Sequence, residues 1–99
     1  MNKRTKSLQI TPKIKECVFN RDNGKCVICG QNGLPEAHYI PRSKGGLGIE
    51  QNIVTLCRKC HFEMDNTTNR KWMLKIVKNY LDEQYPNFED SWRVYDKNR

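Results

Sequence analysis

The sequence predicts a small α+β domain with one modest hydrophobic core. The chain has 99 residues, of which 36% are apolar, so one small domain is expected and no second one. Segments with helical and strand-like periodicity follow one another in the order helix, strand, strand, helix, helix. Four of the five cysteines form two Cys-x-x-Cys pairs, Cys26 with Cys29 and Cys57 with Cys60. Because domains of this size often need a metal ion, we expect a zinc-stabilised fold.

The N-terminal part of the chain is predicted to contain a loose segment and one helix. Residues 1–10 are polar and basic, and we expect a flexible basic arm there, with residues 11–99 forming the domain. A helix is predicted over residues 11–21, since Thr11 can cap it and the proline that follows fits its first turn. Cys17 lies on the apolar stripe of this helix without a partner at metal-binding spacing. It is therefore expected to be a buried core thiol.

The centre of the chain is predicted to contain two strands separated by a glycine-rich loop. The first strand is expected at residues 36–40, where a proline ends it, and the second at residues 52–56, a β-branched run. A short helix should follow at residues 60–65, which completes a core of about residues 36–66. A longer amphipathic helix is predicted at about residues 70–84, and it ends before a proline.

The two cysteine pairs are predicted to form one structural Zn²⁺ site. Each pair has two residues between its cysteines, so one tight turn can present both thiolates, and 27 residues separate the pairs. Two such turns complete a tetrahedral site with four thiolate ligands and no open position, which stabilises folding without taking part in catalysis. In a reducing compartment such pairs are metal ligands in preference to disulfides.

The charge of the chain favours a polyanionic partner. Lys and Arg outnumber Asp and Glu by 18 to 11, which gives a formal net charge of +7. A basic surface attracts DNA phosphates, although a basic protein without such a partner has the same composition. No apolar run is long enough to span a bilayer and no signal-peptide segment is found, so we expect no membrane association and a cytoplasmic protein.

Polar residues around the cysteine pairs form a second pattern. Its members are His38, Pro41, Gly45-Gly46, Asn52 and His61. Asn52 comes fourteen residues after His38, and His61 comes nine residues after Asn52 and directly after the last cysteine. This pattern resembles that of the HNH endonuclease family, in which His, Pro with Gly-Gly, and Asn precede Leu-Cys-x-x-Cys-His. The resemblance covers about residues 11–65, and residues 45–52 are particularly similar to phage-type members.

The resemblance implies a fold and a role for each residue of the pattern. The fold is a ββα-metal core, in which a strand, a long loop, a strand and a helix surround one catalytic metal ion. His38 would be the general base, Asn52 would hold the loop, and His61 would bind a divalent ion, either Mg²⁺, Mn²⁺, Ni²⁺ or Zn²⁺. Arg42 and Lys44 beside the loop are natural contacts for DNA phosphates, although solvated loop residues have the same appearance.

The ligand set of the catalytic metal ion departs from the family pattern. The family usually has Asp, Glu or His directly before its base, whereas this chain has Ala37, which cannot coordinate a metal ion. Asp65 lies four residues after His61, so both side chains project from one helix face, and Asp65 is our first choice for a second ligand. Glu36 is the alternative, because it shares a strand face with His38. Ala37→Asp would restore the usual ligand, provided that the strand presents position 37 to the ion.

These features predict a metal-dependent DNA endonuclease that nicks DNA or cuts both strands. The resemblance also implies a bacterial or phage-infected host cell and phage packaging proteins as further partners. A catalytically inactive, zinc-finger-like module that binds nucleic acid is the main alternative, and a Cys-x-x-Cys redox protein is a weaker one. The combination of His38, Asn52 and His61 favours the enzyme, since a binding module needs only the cysteines and basic residues.

Overall fold

The computed structural model describes residues 2–98, which form a two-stranded antiparallel sheet packed against helices. In chain order the elements are α1 (Lys3–Leu8), α2 (Pro12–Arg21), β1 (Leu34–His38), β2 (Ile53–Leu56), α3 (Arg58–Asn66) and α4 (Arg70–Gln84). Single turns of 3-10 helix lie at Arg42–Lys44 in the β1–β2 loop and at Asp90–Arg93 in the tail. This arrangement confirms the predicted α+β class.

Helices α2 and α3 begin directly after residues whose side chains cap them. The Thr11 hydroxyl accepts the N–H of Ile14 at 3.2 Å, and Pro12 occupies the first turn of α2. Helix α3 begins after Cys57, whose thiol accepts the N–H of Cys60 at 3.4 Å. None of the helices within residues 2–98 has the length and apolar character needed to cross a bilayer.

The core lies between the sheet and helices α3 and α4. Its fully or nearly fully buried side chains are Ala37, Val54, Leu56, Met64, Met73, Val77 and Leu81, together with Cys26 and Cys60. Three of these residues recur along one face of α4, which explains why that helix packs there. Trp72 and Ile76 lie beside this buried face of α4 and are exposed.

Three local features differ from the sequence prediction. Strand β1 begins at Leu34 and ends at His38, with an irregular register before Ala37, so it is shifted toward the N-terminus. Cys17 is exposed, and its assignment to the core was wrong. Its neighbour Val18 is fully buried, and one residue turns the helix by about 100° away from that direction. The segment expected to be a loose arm contains α1.

Candidate active site and metal centre

The four paired cysteines meet at one point. Cys26 and Cys29 lie in the turn before β1, and Cys57 and Cys60 lie at the start of α3. Their sulfur atoms are all within 4.8 Å of one another, and the Cys29 and Cys57 sulfurs are 3.6 Å apart. Four thiolates that each lie about 2.3 Å from a tetrahedral zinc ion are about 3.8 Å apart, so the cluster fits one metal ion such as zinc.

The backbone around the cluster favours the thiolate form of Cys26. Burial opposes ionisation of its thiol. The N–H groups of Cys29, Cys57 and Ile28 favour the thiolate and together lower the pKa of Cys26 to about 7. Burial and the neighbouring sulfurs raise the pKa of Cys60, and a cation beside this thiol would favour its thiolate.

A separate open cleft brings together most of the residues that were predicted to act on DNA. The cleft is about 530 Å³ in volume and lies between the end of β1, the β1–β2 loop and α3. Its walls include His38, Arg42, Lys44, His61 and Asp65, together with Glu36 and Arg70. Asn52 does not line this cleft and is fully buried. The predicted site residues therefore lie in three places: the cleft, the buried position of Asn52, and the separate cysteine cluster.

His38 stands at the end of β1 with one ring nitrogen already bonded. Its Nε2 lies 3.0 Å from the carbonyl oxygen of Leu8, which can only accept a hydrogen bond. In the neutral imidazole the proton is therefore on Nε2, and Nδ1 carries the free lone pair. Burial lowers the pKa of His38 below its ordinary value of 6.5, and the nearby charges of Arg42 and His61 act in the same direction. These contributions exceed the raising effects of the Leu8 carbonyl and Asp65.

His61 and Asp65 form a pair of candidate metal ligands one helical turn apart. His61 Nε2 lies 3.2 Å from Asp65 Oδ2, and both side chains are partly exposed. Two ligand atoms about 2.1 Å from one ion lie about 3 Å apart when they are at right angles, so this pair fits a divalent cation. The other carboxylate oxygen, Asp65 Oδ1, is 3.4 Å from Arg70 Nη1.

The strand turns Ala37 away from the cleft. Ala37 is fully buried in the core, whereas Glu36 is exposed, lines the cleft and lies 3.9 Å from Lys15. Alternation of side chains along β1 explains this difference. Position 37 therefore does not face the ion that His61 and Asp65 can hold. Glu36 lines the same cleft as His61 and Asp65 and stays the alternative second ligand.

Asn52 ties the two ends of the β1–β2 loop together. Its side-chain NH₂ donates to the carbonyl oxygens of Ile40 at 3.1 Å and Leu47 at 2.9 Å, and its Oδ1 accepts the Ile40 N–H at 2.9 Å. Gly46 has no room for a side chain, because a Cβ there would lie 1.7 Å from the Ile40 carbonyl oxygen. Asn52 and Gly46 both serve the tight closure of this loop: the asparagine bonds across it, and the glycine leaves room for the Ile40 carbonyl.

The cleft continues into two adjoining depressions, and we call the whole feature the groove. One depression, of about 360 Å³, adds Lys15 to the wall beside His38, and the other, of about 440 Å³, adds Arg58 and Phe62 beside His61. The positively charged residues Lys15, Arg58 and Arg70 were missed by the sequence analysis. They come from α2, α3 and α4, and no spacing along the chain shows that these helices surround one groove.

Comparison with known proteins agrees with this arrangement. A family model described as HNH endonuclease matches residues 26–75, which include the cysteine cluster, His38, Asn52, His61 and Asp65. The type IV methyl-directed restriction enzyme EcoKMcrA of Escherichia coli strain K12 is 30% identical over 76 residues, which cover 67% of this chain and 27% of that enzyme.

A second relative, anaredoxin of Nostoc sp., is 36% identical over 66 residues, which cover 65% of this chain and 80% of that protein. The chain thus spans about a quarter of the restriction enzyme and most of the smaller relative. The family match covers half of the chain and contains both cysteine pairs and the complete His-Asn-His pattern. The chain therefore belongs to the HNH endonuclease family.

Proposed function

We propose that this protein is a metal-dependent DNA endonuclease that hydrolyses phosphodiester bonds with His38 as its general base. Membership of the HNH endonuclease family supports a nuclease-type function. The observation that carries the proposal is the single cleft that contains both His38 and the His61–Asp65 pair. Phosphodiester hydrolysis needs a proton acceptor and a cation near one phosphate, and this cleft offers positions for both.

His38 is arranged to take a proton from the attacking water. Its neutral form is favoured at neutral pH because its pKa is lowered, and Nδ1 is the nitrogen left to accept the proton. A divalent ion held by His61 and Asp65 would stabilise negative charge on the phosphate and on the leaving oxygen. Asn52 contributes indirectly, since it holds the loop that places Arg42 and Lys44 along the cleft.

The groove is the proposed path of the DNA strand. Arg42 and Lys44 flank its centre, while Lys15, Arg58 and Arg70 add positive charge along its length. Such residues position phosphates without reading the base sequence. The groove therefore favours a low-specificity contact with the backbone. Phage packaging proteins as partners, and a bacterial or phage-infected cell as the location, remain predictions from the family resemblance.

We propose zinc as the ion of the cysteine cluster, in a purely structural role. The two Cys-x-x-Cys pairs converge on one point, with Cys29 and Cys57 sulfurs 3.6 Å apart although they belong to different pairs. This convergence supports one four-thiolate site over two separate redox pairs. A closed site of this kind leaves the cleft metal as a second, independent ion.

Plasmid cleavage by the zinc-loaded protein tests the proposed function. Nicking should require a divalent ion from the series Mg²⁺, Mn²⁺, Ni²⁺ and Zn²⁺ and should stop with EDTA. His38→Ala should lower the cleavage rate on the order of 10² to 10⁴-fold, with zinc content and DNA affinity retained. His61→Ala should also lose activity, but raising the metal concentration should restore part of it, because the substitution removes a ligand.

The same assay separates the enzyme from the binding-module alternative. Cys17→Ser is a suitable control, since this thiol is exposed and lies outside the cysteine cluster. A wild-type protein that is folded, zinc-loaded and DNA-binding, yet inactive with every metal ion, would show a nucleic-acid-binding module. An active enzyme that is indifferent to His38→Ala would remove His38 as the base.

A further inference from the structure

The N-terminal segment, residues 2–10, contacts the proposed base although it lies outside the family match of residues 26–75. The contact is the 3.0 Å approach of His38 Nε2 to the carbonyl oxygen of Leu8. Leu8 is the last residue of α1, and a carbonyl in the last turn of a helix has no partner within the helix. This oxygen is therefore available to accept a hydrogen bond from His38.

Two further contacts hold the Leu8 carbonyl in place. The Leu8 side chain is only 3% exposed, so it anchors the segment to the domain. At the residue directly before Leu8, the Gly48 N–H donates to the Ser7 carbonyl at 3.0 Å. A Cβ on Gly48 would lie 2.0 Å from the Gln9 carbonyl oxygen, so the loop and the segment approach as closely as glycine allows.

We infer that residues 2–10 are a positioning element that sets the tautomer of His38. A neutral imidazole has two tautomers, and a carbonyl oxygen at Nε2 stabilises the one that carries its proton there. Without that acceptor the two tautomers mix, and the molecules with a proton on Nδ1 lose the lone pair that would accept a proton from water. The inference rests on the proposed function, because it assigns the segment a part in that same site.

Two variants displace the segment by different routes. Gly48→Ala pushes against the Gln9 carbonyl from the loop side, and Leu8→Asp removes the apolar anchor from the segment side. Ser7→Ala is the matched control. The Ser7 side chain is exposed and donates only to the Lys3 carbonyl within α1, so this change keeps every backbone carbonyl in place. Zinc content and thermal melting identify any variant that fails to fold.

Long-range ¹H–¹⁵N correlation spectra of the zinc-loaded protein report the tautomer directly. The chain has two histidines, so assignment needs only one histidine substitution. Wild type and Ser7→Ala should show His38 with the proton on Nε2. Gly48→Ala and Leu8→Asp should show averaged nitrogen shifts. If both folded variants keep the wild-type tautomer, the segment does not set it and the inference is overturned.

Cleavage kinetics provide the second readout. Gly48→Ala and Leu8→Asp should lower kcat by about 10- to 100-fold, the range found when a metal-ligating histidine loses its hydrogen-bond partner, with KM nearly unchanged. Unchanged kcat in both variants would contradict the inference. A wild-type protein that cleaves no DNA would instead contradict the proposed function, and the tautomer spectra would still decide whether the segment positions His38.

Discussion

Substitution of Ala37 by aspartate separates the family pattern from the geometry of this chain. The family pattern predicts that Ala37→Asp adds a metal ligand and tightens binding of the catalytic ion. In the structure Ala37 is fully buried in the core, on the opposite face of β1 from Glu36 and His38. We therefore predict that Ala37→Asp destabilises the fold and leaves binding of the catalytic ion unimproved.

The magnitude follows from the free energy needed to neutralise a carboxylate before it is buried. With an ordinary pKa of about 3.9 and about 1.36 kcal/mol per pH unit, protonation costs about 4 kcal/mol at pH 7 and about 1.5 kcal/mol at pH 5. The extra volume in a packed core adds about 1–3 kcal/mol. Burial raises the pKa of the new carboxyl in the folded state, so the unfolded chain binds fewer protons between the two pKa values. The loss of stability therefore grows as the pH rises above 3.9.

Urea unfolding of the zinc-loaded protein at several pH values measures this effect. Ala37→Asn is the matched control, because asparagine has almost the same volume and does not titrate in this range. The difference between the two variants should widen from pH 5 to pH 7, and Mn²⁺ titration should show no tighter binding by the aspartate variant. If Ala37→Asp is as stable as Ala37→Asn at pH 7 and binds Mn²⁺ more tightly than wild type, position 37 faces the cleft and our description of β1 is wrong.

Further predictions concern the cysteine cluster, the groove and the base. Cys26→Ser should lose its zinc in metal analysis and largely unfold, whereas Cys17→Ser should keep one zinc per chain; a folded, zinc-free wild type would refute the cluster. Affinity for duplex DNA should fall less steeply with salt when Arg42→Ala is combined with Lys44→Ala: the negative slope of log affinity against log salt should become smaller in magnitude by about 2. An unchanged slope would exclude these phosphate contacts. The pKa of His38 is lowered, chiefly by burial, so the cleavage rate should fall as the pH is lowered, with its midpoint below pH 6.5. A midpoint above pH 6.5 would contradict the buried environment of His38.

The errors of the sequence analysis came from features that periodicity alone does not resolve. Cys17 shares a helical stripe with buried Val18 but lies at the edge of that stripe, and only the packing of α2 shows that its thiol reaches solvent. Residues 1–10 contain too few apolar positions for a periodic signal, so α1 could not be recognised. Its position depends on Leu8, whose burial requires the remainder of the domain.

The sequence by itself determined those features that depend on local chain geometry. A Cys-x-x-Cys turn presents two thiolates whatever surrounds it, and residues four apart on a helix, such as His61 and Asp65, share a face. Only the tertiary structure decided which groups from distant segments meet. It brought the Leu8 carbonyl to His38 across 30 residues and turned Ala37 toward the core. These outcomes depend on how whole elements pack against one another, and that packing is a property of the entire buried surface, which no short spacing encodes.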